Sequence, residues 1–121
     1  MLLSRHTDVT PIEVQSIEGQ PVYGGPLLAR PMIRGDTMTL LEIRYEAGVG
    51  APLHVHDHES LIYVVAGRVR TVVGDQHFEL GPGDVCRHPA RVPHSVEALE
   101  AATMVEIKSP APDIAAFMAT A

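Results

Sequence analysis

Seven histidines occur in the 121-residue chain, and six of them, His54, His56, His58, His77, His88 and His94, fall between positions 54 and 94. Histidine titrates near neutrality and is the commonest metal ligand. In HVHDHES (54–60) His54 and His56 stand two residues apart. On a strand such side chains share one face, and Val55 takes the other. Gly48, Gly50 and Pro52 precede the pair, so it sits where a turn enters a strand. His94, in ARVPHSV, follows two turn signals. Antiparallel meandering strands would return it beside the pair. Three imidazoles meeting there form a cup for a divalent ion, with positions left for water, substrate or oxygen.

Strands must position these groups. TMTLLEIRYE (37–46) alternates, with Met38, Leu40, Glu42 and Arg44 on one parity and Leu41, Ile43 and Tyr45 on the other. SLIYVVAGRVRTVVG is rich in Val, Ile and Tyr and is interrupted at Ala66-Gly67. Val73-Gly74-Asp75-Gln76 reads as a tight hairpin and Gly81-Pro82-Gly83-Asp84 as a second turn. ATMVEIK alternates again. Such runs, with no helical period between them, predict an all-β barrel or sandwich. PVYGGPLLARP (21–31) has prolines at 21, 26 and 31, which predict an arm or an edge rather than a central strand. In PAPDIAAFMATA, Asp113 is placed to cap a final helix, packed on the barrel or on a partner chain, with a frayed tail as the alternative.

Composition narrows the function classes. The length fits one domain, 1–121. A formal charge of −6 argues against binding nucleic-acid phosphates. No apolar run reaches transmembrane length, and MLLSRHTDVTP lacks a basic segment followed by an apolar one. A single cysteine, Cys86, excludes an internal disulfide and suits a reducing compartment, so a cytoplasmic location is expected.

The spacing Gly48-x5-His54-x-His56, followed by LIYVVAG ending at Gly67, resembles the first motif of the cupins (48–67), and GPGDVCRHPARVPHS (81–95) resembles the second. The resemblance implies an RmlC-like jelly-roll barrel, to which the proline-bearing segment adds an N-terminal arm and Asp113 a short C-terminal helix. It implies metal ligation by His54, His56 and His94, the ion being iron, zinc, nickel or manganese. The family's usual carboxylate position falls on Ser60, while Glu59 has the parity of the opposite face. Three readings stay open: a three-histidine set, Glu59 displaced into the cup, or Ser60 acting through water. The first is favoured. The second motif's usual terminal Asn falls on Ala98. A weaker likeness, carried by HVHDHES, LIYVVAG, the run 92–101 and the Pro-rich end, is to cupins that open unsaturated uronates. There an acidic residue on the last strand corresponds to Glu106, an aromatic to Lys108 and a basic residue to Pro112, so one of three supporting residues is kept.

Glu106 is therefore the candidate base, set against a solvated strand residue. His88, extended before Pro89, is a second candidate acid or base at the barrel mouth. Arg70, Arg87 and Arg91 are candidate clamps for a carboxylate. His58 is expected to be solvated, His77 exposed and Cys86 a buried apolar group, and His6 has no role. Three function classes follow. One is a metal-dependent isomerase or lyase on a small polar, carboxylated or sugar-derived substrate. Another is a three-histidine iron dioxygenase. The last is a non-catalytic binding or sensing barrel. The expected partners are a small molecule and a second copy of the chain, with no nucleic acid and no membrane.

Overall fold

A computed structural model describes residues 1–119. A 3-10 turn at His6–Asp8 precedes β1 (Ile12–Val14), β2 (Ser16–Ile17), β3 (Gln20–Pro21), β4 (Leu27–Arg34) and β5 (Thr39–Tyr45). Then come β6 (Gly50–His54), β7 (Glu59–Ala66), β8 (Val69–Val73), β9 (Gln76–Leu80) and β10 (Val85–His88). The chain continues through β11 (His94–Ala98), β12 (Ala102–Ser109), α1 (Ile114–Phe117) and β13 (Met118–Ala119). One sheet has the order β1-β4-β5-β12-β7-β10, a second β6-β11-β8-β9, and a small third β13-β2-β3. Every pairing is antiparallel.

Alternation decides what faces inward. On β5, Leu41, Ile43 and Tyr45 are buried and Arg44 is exposed, as the parity predicts. Leu41, Ile43, Val64 and Met104 of the first sheet share one core with Ala51, Val69, Val96 and Ala98 of the second. Each fully buried Leu, Ile or Met contributes on the order of 1.5–3 kcal/mol. The turns are built as their residues require. Gly74 takes φ +61° between the paired Val73 and Gln76, and a Cβ on Gly67 would stand 2.0 Å from the Ala101 carbonyl oxygen. Both positions need glycine.

The proline-rich segment departs from expectation. β4 begins directly after Pro26 and lies between β1 and β5. Its pairing with β1 covers only Leu27–Ala29. Pro31 lies beyond that contact, and the β5 ladder shifts register between Pro31 and Ile33. A missing N–H is tolerated there because no ladder bond is demanded of it. The C-terminal segment packs on its own barrel. The Asp113 carboxylate accepts from the Ala115 N–H at 3.2 Å, Phe117 and Met118 are buried, and β13 pairs with β2. Among the described residues no helix is long and apolar enough to cross a membrane.

Candidate metal centre

Register brings the histidines together. His94 on β11 is the cross-strand partner of His54 on β6. His56 follows two residues beyond the end of β6, where the Arg91 N–H donates to its carbonyl oxygen at 2.8 Å. The ring centroids lie 4.7 Å (His54–His56), 4.4 Å (His54–His94) and 5.1 Å (His56–His94) apart. One ring nitrogen from each falls within 4.8 Å of the others, and all three residues are buried. The Nδ1 of His54 donates to the Pro52 carbonyl at 2.7 Å, and that of His94 faces the Val92 carbonyl at 3.4 Å. Such bonds fix the tautomer that leaves Nε2 free to ligate. Burial lowers the pKa of all three; His94, with the charges of His88 and His54 adding to burial, is held at about 3. Neutral imidazoles converging on one point are the donor set a borderline divalent ion takes, so the residues present fit a metal.

The cavity they line has a volume of about 20 Å³, room for roughly one water. Glu106, Lys108, His88, Met118 and Ile17 also line it. Glu106 and Lys108 share one face of β12 with the buried Ala102 and Met104. Lys108, only 1% exposed, makes a close ion pair with Glu106 and reaches Ser60 Oγ and His58 Nε2, each at 3.1 Å. Burial pushes the Glu106 carboxyl up, but the charge and hydrogen bond of Lys108 outweigh it and hold it at about 2. Glu106 is therefore an ionised group of the cavity wall.

His88 is buried and stacked on His94 with centroids 4.1 Å apart. Thr71 Oγ1 lies 2.8 Å from His88 Nε2 and 2.8 Å from the Ser95 carbonyl. A hydroxyl has one proton, and the carbonyl can only accept it. Nε2 of His88 must then donate, which leaves Nδ1 as its basic nitrogen. Burial lowers its pKa to about 4.

Several expectations are corrected. His58 is buried rather than solvated: it stacks on His56 at 4.3 Å and accepts from Lys108. Glu59 points outward and pairs with Arg87 at 3.2 Å, so it is not displaced into the cup. Ser60 faces inward but is engaged by Lys108. None of the three arginines lines the cavity; Arg70 pairs with Glu79 at 3.6 Å on the surface. The cation of the site is Lys108, which sequence reasoning passed over although Ala102, Met104, Glu106 and Lys108 share one parity. Cys86 is half-buried, and His77 is exposed as expected.

The cupin-domain family profile matches residues 41–108. No curated protein matches the sequence. Among solved structures, an RmlC-like cupin from Shewanella frigidimarina NCIMB 400 is 20% identical with a TM-score of 0.80, over 93% of this chain and 94% of that one. KdgF from Halomonas sp. is 19% identical with a TM-score of 0.77, over 93% and 96%. The polyketide cyclase RemF from Streptomyces resistomycificus is 23% identical with a TM-score of 0.74, over 90% and 79%. At these identities the structures speak for the fold, while the profile covers more than half of the chain: it belongs to the cupin domain family.

Proposed function

We propose that the protein is a metal-dependent cupin enzyme of isomerase or lyase type, acting on a small polar, carboxylated or sugar-derived substrate. The observation that carries this reading is the convergence of His54, His56 and His94 in a cavity that also holds His88 and Glu106. A bound divalent ion would polarise a carbonyl or hydroxyl oxygen of the substrate. His88 and Glu106 are the groups available to move the proton beside it. Lys108 holds Glu106 as a carboxylate in an ion pair, whereas burial keeps His88 neutral with Nδ1 as its basic nitrogen, so His88 is the candidate base. Glu106, held charged by Lys108, favours positive charge developing near it. The likeness to uronate-opening cupins makes unsaturated uronates the first substrates to assay. The working form is a cytoplasmic homodimer, with the outward Leu61, Tyr63, Val65 and Val85, 48–67% exposed, as the candidate surface between copies.

A second reading, the three-histidine iron dioxygenase, is favoured by one observation. Among the described residues no carboxylate joins the three imidazoles as a ligand: Glu59 faces away, Glu106 pairs with Lys108, and Ser60 is bound to Lys108.

Elemental analysis of untagged protein tests both. About one divalent ion per chain is expected. His54→Ala and His94→Ala should each weaken binding by at least about a hundredfold, as the share of one ligand in a metal site implies. His77→Ala should bind like the parent. Zinc, nickel or manganese supports the first reading, and iron with oxygen consumption the second. Protein that holds no ion and cannot be loaded overturns both.

A further inference from the structure

The three cup histidines are not supported alike. His54 and His94 each have a backbone carbonyl two residues earlier against Nδ1, at 2.7 and 3.4 Å. His56 has no such carbonyl, and its Nδ1 is sealed from solvent without a hydrogen-bond partner. Glu18 Oε1 stands 3.5 Å from that nitrogen. Glu18 arrives from the N-terminal arm, in the turn between β2 and β3, and its own N–H donates to the Phe117 carbonyl at 2.8 Å.

The backbone of this turn does not favour glutamate. Glu18 has φ +50° and Gly19 φ +76°. Two successive residues in the left-handed region make the mirror-image hairpin turn in which Asn-Gly, Asp-Gly and Gly-Gly are preferred. A long side chain there is conformationally costly. What Glu18 supplies, and Asn would not, is a carboxylate long enough to reach the one cup histidine whose outer nitrogen lacks an acceptor.

We propose that Glu18 is the positioning carboxylate of the metal centre: it receives the Nδ1–H of His56, fixes the tautomer that presents Nε2 to the ion, and raises the basicity of that ligand. A small rotation of this half-exposed side chain brings the 3.5 Å separation to hydrogen-bond length. The inference rests on the metal-site reading above. It also ties the arm to the site: the β2–β3 hairpin, whose Ile17 lines the cavity, holds one of the ligands in place.

Glu18→Asn discriminates, because the two roles of the position pull it in opposite directions. Asn suits the turn, so metal-free Glu18→Asn should unfold at the parent's temperature or above it. Its zinc affinity, measured by competition with a chromophoric chelator, should fall about 10–100-fold. Glu18→Gln keeps an acceptor without the charge and should fall between the two. In the metal-free protein, proton–nitrogen correlation spectra of the imidazoles should show His56 in the Nδ1–H form in the parent and a shifted tautomer balance in Glu18→Asn. A parent that binds none of zinc, nickel, manganese and iron overturns the metal reading and this inference with it. A parent that binds, with Glu18→Asn equal in affinity and His56 unchanged, overturns the role of Glu18 alone. Loss of affinity and stability together, with the His56 tautomer unmoved, assigns Glu18 to the fold and also overturns it.

Discussion

On one side of the cavity, β6 and β11 set His54 opposite His94, two neutral rings whose outer nitrogens face carbonyls two residues away. On the other side, β12 presents Glu106 and Lys108, and the ammonium group reaches Ser60 and His58, 48 and 50 residues distant in sequence. The histidine wall is preorganised by its own backbone and leaves lone pairs for a ligand. The charged wall is closed on itself: all three Lys108 donors are taken by protein groups. One wall is therefore built to bind, and the other to hold a fixed charge pattern beside what binds. Ladder register supports the second role. Lys108, Ser60 and His88 form one cross-strand row over β12, β7 and β10, so the ion pair and the candidate base share a scaffold.

Removing the lysine breaks the charged wall most severely. Lys108→Met leaves the Glu106 carboxylate unpaired, its side chain only 12% exposed. Breaking a buried pair from one side costs about 3–5 kcal/mol, whereas replacing both partners with apolar groups is often close to neutral. Urea denaturation of metal-free protein should show that loss for Lys108→Met, and a much smaller one for Lys108→Met/Glu106→Leu. If the double variant is as unstable as the single, the hydrogen bonds to Ser60 and His58 carry the stability, and the ion pair does not.

The contrast explains what could be read in advance. The histidine wall was legible because its rules are local: the two-residue period places His54 with His56, and the turn signals return His94. The resemblance to the cupin motifs rests on the same local spacings. The charged wall depends on partners far apart in the chain. A lysine is almost never fully buried unless paired, and only Glu106, two residues away, hinted at the pairing. His58 was missed for another reason. Like His56 it lies beyond the end of β6, yet the alternation continues, with His54, His56 and His58 buried and Val55 and Asp57 exposed; a loop reading set that shared parity aside, and Phe117 rather than solvent covers the ring at 5.1 Å. Glu18 carried no sequence signal, because its approach to His56 joins distant parts of the chain through a turn with two left-handed residues. The proline-rich segment was misjudged because Pro excludes only one ladder bond, not a strand.

Acid should weaken both walls of the cavity by a graded amount. His58 is held at about 4 by burial and by the charge of Lys108, and His88 at about 4 by burial. Unfolded imidazoles titrate near 6.5. Between about pH 6.5 and 4 the unfolded chain therefore holds more protons than the folded one, so stability falls as pH falls. Each such group adds a slope of up to roughly 1.4 kcal/mol per pH unit, and His54, His56 and His94, lowered in the same direction, add to the loss. Glu106, held at about 2, continues the loss below the usual carboxylate range, since its unfolded form gains a proton first. The urea midpoint of metal-free protein should drop steadily from pH 7 to 4. A flat profile would mean that these rings already meet solvent in the folded state.

The smallest expected effect concerns the segment that bridges the two walls. The Phe117 ring lies 5.0 Å from that of His56, 5.1 Å from that of His58 and 5.3 Å from Lys108 Nζ. In a sealed core Phe→Ala costs about 3–5 kcal/mol. Here the ring is carried on a four-residue helix followed by a two-residue strand. If that segment docks as a unit, the loss in Phe117→Ala is capped by the free energy of opening it, and should stay under about 2 kcal/mol. Zinc should then be stripped by a chelator faster from Phe117→Ala than from the parent, because the same opening exposes the cup. The cavity of about 20 Å³ supplies the reason such an opening is needed: it has room for about one water, and a sugar acid enters only if part of its lining moves. A full 3–5 kcal/mol loss with an unchanged stripping rate would make Phe117 part of the rigid core and shift the entrance to the β2–β3 turn, where Glu18 meets His56.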